Sequence, residues 1–225
     1  MSRARTSKAP EPPVFREGVV TRLEPQTYDP ERVSIFIDGA FWMGVHRDVL
    51  REHPVEEGQM LPLAVQQALY RAELVRKAQS VALRYLEHRP RTVQEVRRRL
   101  ERAGFPVEVI DQMVARLEAL GYLDDRAYAR AYVQGRLAGR GYGPRRLQAE
   151  LRRRGVPPDV VEATLDAALA ETDPLEIARP LARRRWKLLC QNEPDRRKRR
   201  QKLIAFLQRR GFSSEIAYTL LRELD

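Results

Sequence analysis

Three segments of this chain align on a glycine: Val96-Arg-Arg-Arg-Leu100-Glu-Arg-Ala-Gly104-Phe105, Leu147-Gln-Ala-Glu-Leu151-Arg-Arg-Arg-Gly155-Val156 and Leu203-Ile-Ala-Phe-Leu207-Gln-Arg-Arg-Gly211-Phe212. The glycines are 51 and 56 residues apart. In each segment an apolar residue stands eight and four positions before the glycine and another directly after it. That is the i, i+4 spacing of one helix face. A glycine there suits the left-handed position just past a helix, with the next apolar residue folding back on the last turn. A new helix should follow at once: Pro106 and Pro157 fit a first turn, and Ser213 or Ser214 can cap the third copy. Val109, Val160 and Ile216, five residues past each glycine, are then core positions of that next helix.

Each copy also has a helix upstream, at about 63–87, 125–138 and 175–190 by apolar periodicity. Thr92-Val-Gln-Glu95 reads as a capping box opening the middle helix of the first copy. Gly121 should end one helix and Asp124 cap the next. The repeating unit is therefore three helices of about 50 residues. Such a unit buries little alone, so neighbours should stack into an elongated, curved monomeric array.

The early part of the chain has a different period. Gly18–Glu24, Arg32–Ile37 and Ala40–Val45 are short runs rich in Val, Ile, Phe and Thr, and read as three antiparallel strands. Asp38-Gly39 between the last two favours a two-residue type I′ turn. Pro25 to Pro30 suggests a looser first connection, Asp48–His53 a short helix, and Pro54–Pro62 a loop. Three short strands are not stable alone and need something to pack on. The expected organisation is a disordered tail (1–15), a β-rich extension (16–62) and three helical repeats (63–120, 121–172 and 173–225).

Charge separates along the same division. Residues 1–70 hold 8 basic and 10 acidic side chains, a net of −2, whereas 71–225 hold 34 and 21, a net of +13. All the excess positive charge of this +11 chain lies in the helical part. Such a surface suits phosphate, an acidic protein, or both. The basic residues that stand out are Arg97, Arg98 and Arg102 in the first repeat, and Arg145, Arg146, Arg152 and Arg153 in the second. In the third they are Arg183, Arg184, Arg196, Arg197, Lys198, Arg199, Arg209 and Arg210. Consecutive helical residues point about 100° apart, so each run spreads charge around its helix, and a solvated face competes with a binding role. Arg102, Arg153 and Arg209 recur two positions before the repeat glycine and would form a regular basic row if the repeats stack.

No constellation for catalysis stands out. His46, His53 and His88 have no partners at metal-ligand spacing, and solvent exposure is the expected state of the first two. Gly139-Arg-Gly-Tyr-Gly143 lacks the lysine and hydroxyl residue of a phosphate loop. Asp124-Asp125 is explained by helix capping, and Tyr128 and Tyr132 by core or groove packing. The single Cys190 reads as a small apolar helix residue; with no possible internal disulfide it fits a reducing cytoplasm. No apolar run reaches membrane-spanning length. Neither a cofactor nor a metal is expected.

Several runs taken together resemble the RecX family. They are Tyr85-Leu-Glu-His-Arg-Pro-Arg-Thr92, Gly121-Tyr-Leu-Asp-Asp125, Gly143-Pro-Arg-Arg-Leu147, Glu150-Leu-Arg-Arg-Arg-Gly155 and Phe206-Leu-Gln-Arg-Arg-Gly-Phe212. Ile35 to Val45 is similar to the N-terminal extension of the longer members, although position 40 is Ala where an acidic residue is expected. The resemblance covers residues 16–225. It implies a mainly α protein of tandem three-helix repeats with a small N-terminal antiparallel sheet and no catalytic activity. It further implies binding in the groove of the RecA–DNA filament, lowering ATP hydrolysis, strand exchange and coprotease function, and so regulating DNA repair and the SOS response. The alternative is a stand-alone helix-turn-helix-like DNA-binding protein. Against it, the helices after Gly104 and Gly155 carry Asp111, Glu118, Glu162 and Asp166, which would repel phosphate.

Overall fold

A computed structural model describes residues 8–225, apart from the side chains of Ala138 and Arg140. It has four strands, β1 (Gly18–Gln26), β2 (Asp29–Ile37), β3 (Ala40–His46) and β4 (Met60–Leu61). The first helices are α1 (Arg47–Glu52), α2 (Leu63–Leu86), α3 (Val93–Arg102) and α4 (Val107–Ala119). The later ones are α5 (Asp125–Arg140), α6 (Pro144–Arg153), α7 (Pro158–Glu171), α8 (Pro174–Asn192), α9 (Arg196–Arg209) and α10 (Ser214–Leu224). Two units divide the chain: residues 1–89 with 96–122, and residues 90–95 with 123–225.

In the first unit the sheet is antiparallel in the order β3-β2-β1-β4. The Asp38-Gly39 turn has φ values of 49° and 81°, as a type I′ hairpin requires. Two expectations about this region are corrected. The first connection is tight: Gln26 pairs with Asp29, leaving only Thr27 and Tyr28 in the turn, and a register shift between Pro25 and Gln26 accommodates the proline. The expected loop 54–62 contributes a fourth strand, in which Leu61 and Met60 pair with Gly18 and Val19. Two residues carry no period of their own, so only the pairing makes them a strand.

One sheet face holds Val20, Ile35, Ile37, Met43 and Val45, which share a core with Val49 of α1 and Leu69 of α2. This is the cover that three short strands need. Two buried polar groups on α2 hold it in register. Gln66 donates to the carbonyls of Leu61 (2.8 Å) and Arg16 (2.6 Å). Glu73 accepts from the His46 amide (2.9 Å) and pairs with Arg32 (2.7 Å). His46, expected to be exposed, is instead the N-cap of α1, its ring accepting from the Asp48 amide with only 16% of the side chain exposed. The expected tail falls partly on residues 1–7, outside the described residues. From Ala9 onward it is bound: the Ala9 amide donates to Ala103 (2.7 Å), Tyr70 donates to the Pro10 carbonyl (3.0 Å), and Phe15 packs edge-on against Tyr70.

The repeat glycines act as the spacing predicts. Gly104, Gly155 and Gly211 have φ of 84°, 80° and 92°. The residue after each returns its amide to the carbonyl five before it, Phe105 to Leu100, Val156 to Leu151 and Phe212 to Leu207. The paired apolar positions Val96/Leu100, Leu147/Leu151 and Leu203/Leu207 are all 1% exposed or less. The capping box closes in both directions, Thr92 N–H to Glu95 and Glu95 N–H to Thr92 Oγ1. Asp124 and Ser213 cap α5 and α10 through the amides of Ala127 and Ile216.

The second unit contains two three-helix bundles. Val133, Leu147, Leu151, Val161 and Leu165 centre the core of α5–α7; Leu203, Leu207, Phe212, Leu220 and Leu221 centre that of α8–α10. Backbone joins them: the Gly143 amide donates to the Arg210 carbonyl (2.8 Å) and the Arg145 amide to Gly211 (3.1 Å). Residues 90–95, which belong to this unit, meet the end of α6 in an equivalent way, Thr92 Oγ1 donating to the Arg154 carbonyl (2.7 Å).

Candidate basic surface

An exposed arginine is available to a partner only if no group of its own chain already holds it. On this test the fifteen basic residues singled out above divide into two sets.

Five are built into the fold. Arg97 on α3 pairs with Asp111 on α4. Arg146 donates to Glu150 (3.0 Å) and to the Tyr142 hydroxyl (3.1 Å), its guanidinium lying 3.8 Å above the Tyr142 ring. Arg196 meets the Asp225 carboxylate with two nitrogens, both at 3.1 Å. Arg199 donates to the carbonyls of Glu193 and Pro194, closing the turn that leads into α9. Arg210 is half-buried over the Phe206 ring at 5.2 Å.

The other ten make no ion pair among the described residues: Arg98, Arg102, Arg145, Arg152, Arg153, Arg183, Arg184, Arg197, Lys198 and Arg209. All are exposed. Arg102, Arg153 and Arg209 are the last residues of α3, α6 and α9. A cation there is favoured by the partial negative charge of the helix end. Arg102 uses its Nε on the Arg98 carbonyl (2.9 Å), and the side chains of the other two make no hydrogen bond among the described residues. In the second unit Arg152, Arg153 and Arg209 therefore stand in solvent at the equivalent end of two successive bundles.

A half-buried polar cluster joins Tyr128, Tyr132, Arg146 and Glu95 to Arg136, Glu150 and Arg154, three residues that the sequence did not single out. Tyr128 and Tyr132 stack at 6.1 Å. Arg154 lies 5.0 Å from the Tyr132 ring and pairs with Glu95 (3.3 Å), while Arg136 lies 5.1 Å from the same ring. Glu150 accepts from the Tyr132 hydroxyl and from Arg146. Burial alone would raise the Glu150 carboxyl, but those two hydrogen bonds and the charges of Arg146 and Arg136 outweigh it, and its pKa is lowered. Tyr128 and Tyr132 thus belong to packing, as expected, and Arg154 is a tether for residues 92–95. The Glu-x-x-x-Arg spacing of Glu150 and Arg154 was visible, but not its partners.

Cys190 lies on helix α8, as expected, and is exposed there. Among the described residues no group of three or more His, Cys, Asp or Glu is arranged to hold a metal ion, and no helix is long and apolar enough to cross a membrane. The acidic residues expected to bar DNA from the helices after the glycines are in place: Asp111, Glu118, Glu162 and Asp166 are all exposed on α4 and α7.

Comparison with known proteins agrees along nearly the whole chain. The regulatory protein RecX N-terminal domain matches residues 18–61. The first, second and third RecX three-helix domains match 78–117, 124–165 and 171–221. A regulatory protein RecX of Staphylococcus carnosus (strain TM300) is 29% identical over 206 residues, spanning 92% of this chain and 76% of the relative. Another, of Listeria monocytogenes serotype 4a (strain HCC23), is 27% identical over 208 residues, 91% of this chain and 75% of its own. A crystal structure of regulatory protein RecX superposes with a TM-score of 0.71 at 27% identity, covering 92% of this chain and 99% of that one. The crystal structure of RecX from Lactobacillus salivarius gives 0.58 at 27% identity, over 67% and 96%. With the sheet and all three helical repeats matched in order, the chain belongs to the RecX family of regulatory proteins.

Proposed function

We propose that this protein binds the RecA–DNA filament and lowers its ATP hydrolysis, strand exchange and coprotease activity, working as a cytoplasmic monomer without chemistry of its own. Membership of a family of regulatory proteins supports this choice of partner. The observation that carries the mode of binding is the set of ten exposed cations that make no ion pair among the described residues, three of them at equivalent helix ends. Such unpaired cations suit a long acidic partner, whereas contact with naked single- or double-stranded DNA is the weaker interaction. Solvent-exposed acids on α4 and α7 count against a stand-alone helix-turn-helix protein, because a helix entering the major groove would bring them against phosphate.

The experiment compares wild type with the triple variant Arg102→Glu, Arg153→Glu, Arg209→Glu in RecA ATPase on single-stranded DNA, at two salt concentrations. All three side chains are exposed, so the variant should fold, which circular dichroism verifies. Inhibition should fall steeply in the variant, and wild-type inhibition should weaken as salt rises. A folded triple variant of wild-type potency would sink the assignment of this row as the binding surface. Loss of duplex binding with suppression of preformed filaments intact would turn the row over to DNA.

A further inference from the structure

The first unit gathers four arginines around one cleft of about 650 Å³. Arg51 comes from α1, Arg71 and Arg76 from α2, and Arg116 from α4, so 65 residues of sequence separate the outermost pair. Arg51 (2.8 Å) and Arg76 (3.6 Å) share the single carboxylate of Asp48. Arg71 and Arg116 are exposed and make no ion pair among the described residues. Glu52 is the other carboxylate on the rim, leaving four guanidiniums against two acids.

The cleft is not a plain basic patch. Its lining also holds Ala72 and Val75 between the arginines of α2, together with His53, Gln79 and Gln112. A continuous phosphodiester chain would run against Asp48 and Glu52 and would have no use for the apolar part of that lining. A short peptide places its charges singly, and so can set carboxylates on Arg71 and Arg116 while an aliphatic side chain covers Ala72. We infer that this cleft is a second binding site, on the N-terminal unit, for an acidic peptide segment carrying an aliphatic residue between its carboxylates. The site is independent of the repeat arginines and does not rest on the function proposed above.

The test uses the full chain and a fluorescein-labelled hexapeptide, Asp-Leu-Glu-Glu-Leu-Asp, followed by anisotropy. Wild type should bind it, and the amide version, Asn-Leu-Gln-Gln-Leu-Asn, should bind at least about tenfold more weakly, since both carboxylate pairings are lost. Arg71→Glu with Arg116→Glu should lose the peptide by a similar factor. Glu52→Gln should instead bind it a few-fold more tightly, a gain that misfolding could not produce. The triple repeat variant should bind the peptide as wild type does, which separates this site from the filament surface. Equal binding of acidic and amide peptides, or unchanged binding in the Arg71/Arg116 variant, would overturn the site. Displacement of the peptide by a short oligothymidylate, itself lost in that variant, would overturn the peptide assignment in favour of nucleic acid.

Discussion

The amide of Gly143 donates to the carbonyl of Arg210 across 2.8 Å, so the start of α6 is bonded directly to the end of α9. Glycine is what permits it. A Cβ on Gly143 would lie 2.5 Å from the carbonyl carbon and oxygen of Gly211. Both atoms are backbone, so neither can move aside as a side chain would.

Gly143→Ala should therefore lower stability by about 1–3 kcal/mol, the usual range for forcing extra atoms into a packed contact. Gly135, inside α5 with open space where its Cβ would be, is the counter-case. Gly135→Ala should raise stability by about 0.5–1 kcal/mol through helix propensity. Urea denaturation of the two variants measures both; a destabilising Gly135→Ala or a neutral Gly143→Ala contradicts the packing described.

Thr92 is wholly buried and does two things at once, capping α3 and donating to the Arg154 carbonyl. Thr92→Val keeps the shape and removes both hydrogen bonds. A cap is worth about 1 kcal/mol and a stranded buried carbonyl costs about 1–3 kcal/mol. Thr92→Ser, which retains the hydroxyl, should recover most of the loss in the same denaturation assay.

Arg146 and Arg153 lie seven residues apart on α6 but should behave oppositely. Arg146→Ala removes a carboxylate pair and a guanidinium stacked on Tyr142, costing about 1 kcal/mol at this half-buried site. Arg153→Ala should change stability by less than about 0.5 kcal/mol, as for other exposed positions. The filament assay should reverse the ranking, with Arg153 mattering and Arg146 affecting inhibition only through folding.

The lowered Glu150 carboxyl makes stability depend on acid in a definite direction. The unfolded group titrates near its ordinary value of 4.5 and the folded group lower. Its contribution is therefore complete above that value and is lost as pH falls through the folded pKa. Glu150→Gln should flatten this part of the acid limb in melts taken between about pH 5 and pH 3, while Tyr132→Phe, which removes one of the two donors, should flatten it partly.

Much of the architecture was legible because it is written locally. A glycine past an i, i+4 apolar pair specifies a left-handed helix end from within ten residues. Capping pairs such as Thr92 and Glu95 act across three, and Asp38-Gly39 sets its hairpin alone. Long-range partners decided what was misread. Met60 and Leu61 are a strand only because Gly18 and Val19 lie beside them, and His46 is half-buried only because it caps α1 under the side chains of α2.

The charge pattern divides in the same way. That the excess cations lie after residue 70, and that arginine recurs two positions before each repeat glycine, can be read from the chain without its fold. Packing of the helices settled which of them are spoken for: Arg97 by Asp111 fourteen residues on, Arg196 by Asp225 twenty-nine residues on, and Arg146 by Tyr142 and Glu150 one turn either side. It likewise decided that Arg51, Arg71, Arg76 and Arg116 share one cleft. Helix ends follow from the dihedral preferences and hydrogen bonds of neighbouring residues, whereas an ion pair depends on distance in space, which only the packed helices set.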